Sequence, residues 1–209
     1  MLSVHEARER ILSHFQPTAT EFIKLIAAVN RVLGVDIIAD HDYPLFDNSA
    51  VDGFALRAAD TSASSSTLSV VADIPAGISP TVSLGAGQAA RIMTGAQLPH
   101  GADAVIPVED TDFQNRHAGI HAPETVSFTR TLQAGENVRI RGMDIHAGDI
   151  VLQKGRTLKP QDLGLLATFG VSDVTVYKAP RVALMSSGDE LLDVNAPLRS
   201  DERRVGKEC

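Results

Sequence analysis

From Pro44 to about Gly148 the chain breaks into short β-favouring runs separated by Gly, Pro, Ser and Asn. The runs are Leu68–Ile74, Gln88–Met93, Ala104–Val108, Glu124–Phe128 and Asn137–Ile140. Such spacing argues for a compact all-β unit. Ser62–Ser66 is a serine-rich loop within it, and Asn115–Gly119 reads as an exposed hairpin turn.

The flanks have a different texture. Ser3 followed three residues later by Glu6 reads as a capping box, and Ala7, Ile11, Leu12 and Phe15 recur at helical spacing, so a helix is expected over 4–15. Pro17 ends it. A second, shorter helix is expected over Ile23–Leu33, stopped by Gly34, and a strand over Val35–Ala39. After Gly148, Ile150–Leu152 reads as a strand and Lys159–Asp162 opens a helix with Leu163, Leu166, Ala167 and Phe169 on its apolar face. Val174–Tyr177 is a further strand. Arg181–Met185 then runs into Ser186-Ser187-Gly188-Asp189-Glu190, in the way a buried parallel strand opens a doubly wound α/β domain. The fold class expected is α+β and multi-domain. N-terminal helices accompany a β-rich second domain, followed by the first strand of a truncated α/β domain.

Composition narrows the function. The 209 residues are 44% apolar and 22% charged, a normal balance for one large domain or two small ones. No run approaches the roughly 18 apolar residues of a membrane span, and MLSVHEARER lacks a signal peptide's apolar core. Cys209 is the only cysteine, so no internal disulfide forms, which fits a cytoplasmic location. A net charge of −7, with no basic stripe before residue 199, argues against nucleic acid as a partner, though a local site can oppose the global charge and take an anionic substrate.

Four stretches point one way together: PLFDNSAVDGFALRAAD (44–60), RIMTGAQLPHGADAVIPVED (91–110), GENVRIRGMDIHAGDIVLQKGRTLKPQDLGLLATFGV (135–171) and PRVALMSSGDEL (180–191). In order and spacing they closely resemble the N-terminal half of the molybdopterin molybdenumtransferase family, the molybdenum-insertion enzymes related to the E domain of gephyrin. The resemblance covers roughly residues 1–198. It implies an elongated homodimer of four-domain subunits that takes adenylylated molybdopterin and molybdate, uses Mg²⁺ and releases AMP. The molybdopterin adenylyltransferase is an implied partner. The implied active site is a cleft between the α/β domain of one subunit and the β-rich domain of the other. The division expected here is 1–43 with 149–178 as an N-terminal linking domain, 44–148 as the β-rich domain, and 179–198 as the start of the molybdopterin-binding domain. RSDERRVGKEC (199–209) has no counterpart and reads as a non-native tail, a cloning or sequence-assembly scar. On this reading the polypeptide is a truncated copy, inactive alone because half the cleft is missing. The alternative is a non-catalytic, gephyrin-like scaffold or partner-binding module; a different Mg²⁺-dependent phosphate enzyme is a third.

Each candidate residue has two readings. Asp52 suits Mg²⁺ or the positioning of a water, yet Asp52-Gly53 is also a strong turn dipeptide; the resemblance makes Asp52 catalytic and metal-binding, with Asp47, Asn48 and Ser49 shaping the loop. Thr94 could bond a phosphate or molybdate oxygen through its hydroxyl, with the Gly95 amide nearby, or simply end a strand; the resemblance favours the first and makes Thr94 catalytic. Glu109 and Asp110 either reach the same region or form an exposed acidic turn, the second reading being favoured. If the chain is extended there, Arg139 and Arg141 share a face and can grip phosphate, or form a solvated strand face. The resemblance assigns Arg139 and Asp144 to substrate binding. Ser187, Gly188, Asp189 and Glu190 either form a βα turn with a helix cap or meet an anion and a metal. The resemblance favours the second, with Glu190 catalytic and a metal ligand, and with Ser187, Gly188 and Asp189 binding the pterin substrate. His117 and His121, four apart, lack a third ligand, which argues against zinc.

Overall fold

The computed structural model describes residues 2–61, 65–113, 121–183, 185, 187–188, 191–192, 197 and 203–204. In chain order its main elements are helix α1 (Val4–Leu12) and strands β1 (Thr20–Lys24), β2 (Ile37–Ile38), β3 (Asn48–Ser49), β4 (Gly53–Leu56), β5 (Ser66–Ile74), β6 (Gln88–Ile92), β7 (Ala104–Pro107), β8 (Thr125–Phe128), β9 (Val138–Arg139) and β10 (Ile150–Leu152). Helix α2 (Pro160–Thr168) and strand β11 (Asp173–Tyr177) complete the set. The architecture is β-rich α+β. The HAGIH histidine His117, the Asn115–Gly119 turn, Ser62–Ser64 and most of the 199–209 tail lie outside the described residues, as do Asp189 and Glu190.

Helix α1 carries the capping box read from the sequence: Ser3 Oγ accepts from the Glu6 N–H at 3.2 Å, and Glu6 Oε2 accepts from the Ser3 N–H at 2.7 Å. The helix stops at Leu12, short of the expected Phe15, and none of its residues is buried. The second expected helix, 23–33, does not form. Its first residues instead complete β1, which pairs antiparallel with β11 (Ile23 opposite Val174), and a single 3₁₀ turn follows at Leu25–Ala27. Strand β1 alternates exposed and half-buried positions, with Ile23 on the half-buried side, and ladder pairing with β11 outweighs a short helical apolar pattern. Around this pair Leu33, Leu158, Leu166, Val174 and Val176 form one buried core. Within it Asp162 is buried but satisfied: it accepts from Arg156 Nη2 and from the Lys159 N–H, each at 2.8 Å, the latter closing the first turn of α2.

A second core surrounds a five-stranded sheet in the order β7-β4-β6-β5-β8, in which only the β5–β6 pair is parallel. Both faces of the sheet are covered. Phe54, Leu56, Ala89, Ile106 and Val126 pack on one side, and Ala55, Ala90, Ile92, Val105 and Ile74 on the other. Strand β4, second in the sheet and buried at all four positions, accordingly reads as an unbroken apolar run rather than as an alternation. Between the two cores the chain passes twice, and the passes pair: Ile38 lies opposite Ile150, and Tyr43 opposite Ile145.

The strand expected at Arg181–Met185 does not form at the described residues of that segment. Arg181, Val182, Ala183 and Met185 are in no strand, and Val182 and Met185 are 75% and 93% exposed. A strand needs a neighbour for its N–H and C=O groups, and none is paired to this segment among the described residues.

Candidate functional site

Three strand ends meet beside Asp52. The antiparallel register Gly53↔Ile92 and Gly53↔Pro107 carries Asp52 opposite the exit of β6 on one side and of β7 on the other. The Val108 N–H donates to the Asp52 carbonyl at 3.0 Å. On the β6 side, the Thr94 N–H and the Thr94 hydroxyl both donate to Asp52 Oδ1, at 2.7 and 2.6 Å. Gly53 is not the turn residue the Asp-Gly dipeptide suggested. It is the first residue of β4, and a side chain there would bring a Cβ within 1.9 Å of the Ile106 carbonyl oxygen. The glycine allows β4 and β7 to approach, and the bend lies just before it, over residues 50–52.

The DNS loop is built to hold that bend. Ser49 is buried; its hydroxyl donates to the Val51 carbonyl at 2.5 Å and accepts from the Val51 N–H at 3.3 Å. Backbone bonds zip the loop to the segment after β6: Leu98 N–H to Asp47 O at 2.9 Å, Ser49 N–H to Ala96 O at 3.0 Å and Gly95 N–H to Ser49 O at 2.8 Å. On its other edge β3 pairs with β9, Asn48 opposite Arg139.

A small cleft of about 110 Å³ opens here, lined by Asp52, Gly53, Phe54, Arg91, Ile92, Met93, Val108, Glu109 and Phe113. Glu109 thus belongs to the wall of the Asp52 cleft, whereas Asp110 turns away to pair with Arg130. Arg91 and Phe113 are lining residues that sequence reasoning missed. The Arg91 guanidinium lies 5.5 Å from the Phe113 ring centroid and bonds Asp73 Oδ2 at 3.3 Å, and Phe113 meets Phe54 edge-on at 5.8 Å. A charged residue within the otherwise apolar Ala89–Met93 run was the available signal.

Arg139 and Asp144 form an ion pair with each other, both side chains partly exposed. Arg141 does not join them. Strand β9 ends at Arg139 and the chain turns, so the two-residue alternation that would put both arginines on one face lapses. Arg141 instead donates from Nε to Asp42 Oδ2 at 2.7 Å, and its N–H donates to Asp47 Oδ1 at 2.7 Å. The Ala147 N–H, donating at 2.9 Å, and the Arg141 guanidinium hold the Asp42 carboxyl below the usual carboxylate range. Ser187 and Gly188 are exposed and neither lines the Asp52 cleft. The structure therefore joins Asp52 to Thr94 and Arg139 to Asp144.

No group of three or more His, Cys, Asp or Glu suited to a metal occurs among the described residues. Magnesium asks for less: one or two carboxylates, with the remaining positions left to water and substrate phosphate. The paired presence of Asp52 and Glu109 in one cleft fits that demand.

Residues 2–170 match the family model of the MoeA N-terminal region, domains I and II. The chain belongs to this MoeA N-terminal family. It is 40% identical over 208 residues to a molybdopterin molybdenumtransferase of Bacillus subtilis, and 38% identical over 203 residues to one of Haemophilus influenzae. These alignments cover 97% of this chain and 47% and 48% of the relatives. The chain thus spans about half the length of the curated relatives it matches. A crystal structure of a molybdopterin biosynthesis moeA protein from Pyrococcus horikoshii superposes with a TM-score of 0.81 at 34% identity, over 92% of this chain and 50% of that one. Among the described residues no helix is long and apolar enough to cross a membrane.

Proposed function

We propose that this chain is the N-terminal part of a molybdenum-inserting transferase of molybdenum cofactor biosynthesis. The substrates are molybdate and adenylylated molybdopterin, the cofactor is Mg²⁺, and AMP is released. Asp52 and Glu190 are the metal-binding carboxylates, with Glu109 beside Asp52. Bound there, Mg²⁺ would neutralise phosphate charge as the adenylate is cleaved. Arg139 grips the phosphate by exchanging its Asp144 partner for a more highly charged one. Ser187, Gly188 and Asp189 receive the pterin side of the substrate. Residues 1–43 with 149–178 form one domain and 44–148 another, and two copies assemble so that the β-rich domain of one faces the pterin domain of its partner. A molybdopterin adenylyltransferase hands over the substrate in the cytoplasm.

One observation carries the reading. Asp52 and Thr94, 42 residues apart in sequence, share two hydrogen bonds, and Asp52 lines a cleft together with a second carboxylate and a guanidinium. An exchange enzyme tests it: residues 2–170 of this chain replace the matching region of the Bacillus subtilis relative in a cell lacking its own molybdenumtransferase. Restored molybdoenzyme activity, abolished by Asp52→Asn, is the expected result. An Asp52→Asn exchange enzyme as active as its parent would overturn the assignment.

A further inference from the structure

Thr94 looks at first like an oxyanion donor, a hydroxyl and an amide at the end of a strand. Its hydrogen bonds give it another part. A hydroxyl has one proton and a backbone N–H has one, and both of Thr94's go to the same oxygen, Asp52 Oδ1. The neighbouring Gly95 N–H is also spent, on the Ser49 carbonyl at 2.8 Å. The turn that presents them is fixed. The Ala96 N–H closes it onto Met93 O at 3.0 Å, and Gly95 takes the positive φ of 77° that the third position of a type II turn requires. The Ser49 N–H anchors the turn to the DNS loop by bonding Ala96 O.

We propose that Thr94 is a positioning residue: its N–H and O–H together fix the Asp52 carboxylate, and it donates nothing to the oxyanion. This rests on the function proposed above only for what Asp52 is positioned to do. Two donors on one oxygen fix where that oxygen lies, which narrows the rotamers open to an exposed aspartate. The valine variant keeps the backbone donor and the shape of the side chain but loses the hydroxyl proton. The serine variant keeps both donors.

The test has two independent readouts. In the 209-residue chain, three-bond carbon–carbon and carbon–nitrogen couplings report the Asp52 χ1 rotamer. A single rotamer is expected in the wild type and Thr94→Ser, and an averaged one in Thr94→Val. A single, unchanged rotamer in Thr94→Val overturns the proposal whatever the protein's reaction. In the exchange enzyme, Thr94→Val is expected to lower turnover on the order of tenfold, the worth of one hydrogen bond to a charged group. Thr94→Ser, which keeps both donors, should hold the parent's turnover. A loss in Thr94→Ser as large as that in Thr94→Val would show that the hydroxyl proton carries nothing and would sink the proposal. An Asp52→Asn enzyme with full activity would instead remove the proposed function and leave the rotamer result to decide the role of Thr94.

Discussion

Replacing Gly53 by alanine tests how the site is built into the sheet. The added methyl carbon would lie 1.9 Å from the Ile106 carbonyl oxygen and 2.9 Å from its carbon, where real contacts stay beyond 3.0 Å. Both obstacles are backbone, so no side-chain rotation relieves them. Strands β4 and β7 must part by about 1 Å at this point, in an interior packed too densely to absorb the shift. The 3.0 Å bond from the Val108 N–H to the Asp52 carbonyl stretches beyond hydrogen-bond range. Overpacking costs about 1–3 kcal/mol, and a ladder bond lost adds about 1 kcal/mol. The expected destabilisation of the sheet is therefore about 2–4 kcal/mol, large against the roughly 5–15 kcal/mol that holds a domain folded. Native-state hydrogen exchange at the Phe54, Ala55 and Leu56 amides reads this sheet separately from the Leu166 core. Loss of protection should be confined to the sheet. A change below about 0.5 kcal/mol at those amides, within the range of neutral substitutions, would refute the close-approach argument.

Two further outcomes follow from the charged contacts. Arg156 first, and then the Lys159 N–H, hold the Asp162 carboxyl below the ordinary range against the opposing effect of burial, so it stabilises the fold above the unfolded value near pH 4 and the gain vanishes as pH falls through the folded value. Asp162→Asn should accordingly lower stability at pH 7, with the gap to wild type closing below about pH 4 in denaturant unfolding; a gap independent of pH would count against it. At the junction between the cores, Arg141→Ala should bring the Asp42 carboxyl part of the way back towards the ordinary range, because the Ala147 N–H remains the larger influence. Carboxyl NMR titration checks this, and an unmoved Asp42 midpoint would show that the Arg141 contact carries no weight.

Much of the sheet was legible because its strands are apolar runs bounded by turn residues: Leu68–Ile74, Gln88–Met93 and Ala104–Val108 differ from the observed β5, β6 and β7 by a residue or two. Helix α2 was legible from Pro160 and the Gly170 stop. The helix expected over 23–33 failed because Ile23 and its neighbours are claimed by β11, whose sequence lies some 150 residues away. Local pattern cannot register a partner that distant. The Asp52-Gly53 turn failed for a related reason, since Gly53 is required by the backbone of β7 rather than by its own φ. At the site, the types of residue were readable and their pairings were not. Arg141 was grouped with Arg139 by alternation, yet the chain turns after Arg139 and gives Arg141 to Asp42 and Asp47. Thr94 was legible as a polar strand end, but which oxygen receives its proton is a matter of register between β4 and β6.

The proposed chemistry is tested most directly by AMP release from adenylylated molybdopterin in the purified exchange enzyme, with Mg²⁺ present and molybdate added or withheld. The account predicts AMP release that depends on molybdate and falls to background in Asp52→Asn while the variant's fold is unchanged. Release at equal rates by parent and Asp52→Asn, or a folded parent that releases none while the unmodified relative turns over, would contradict it.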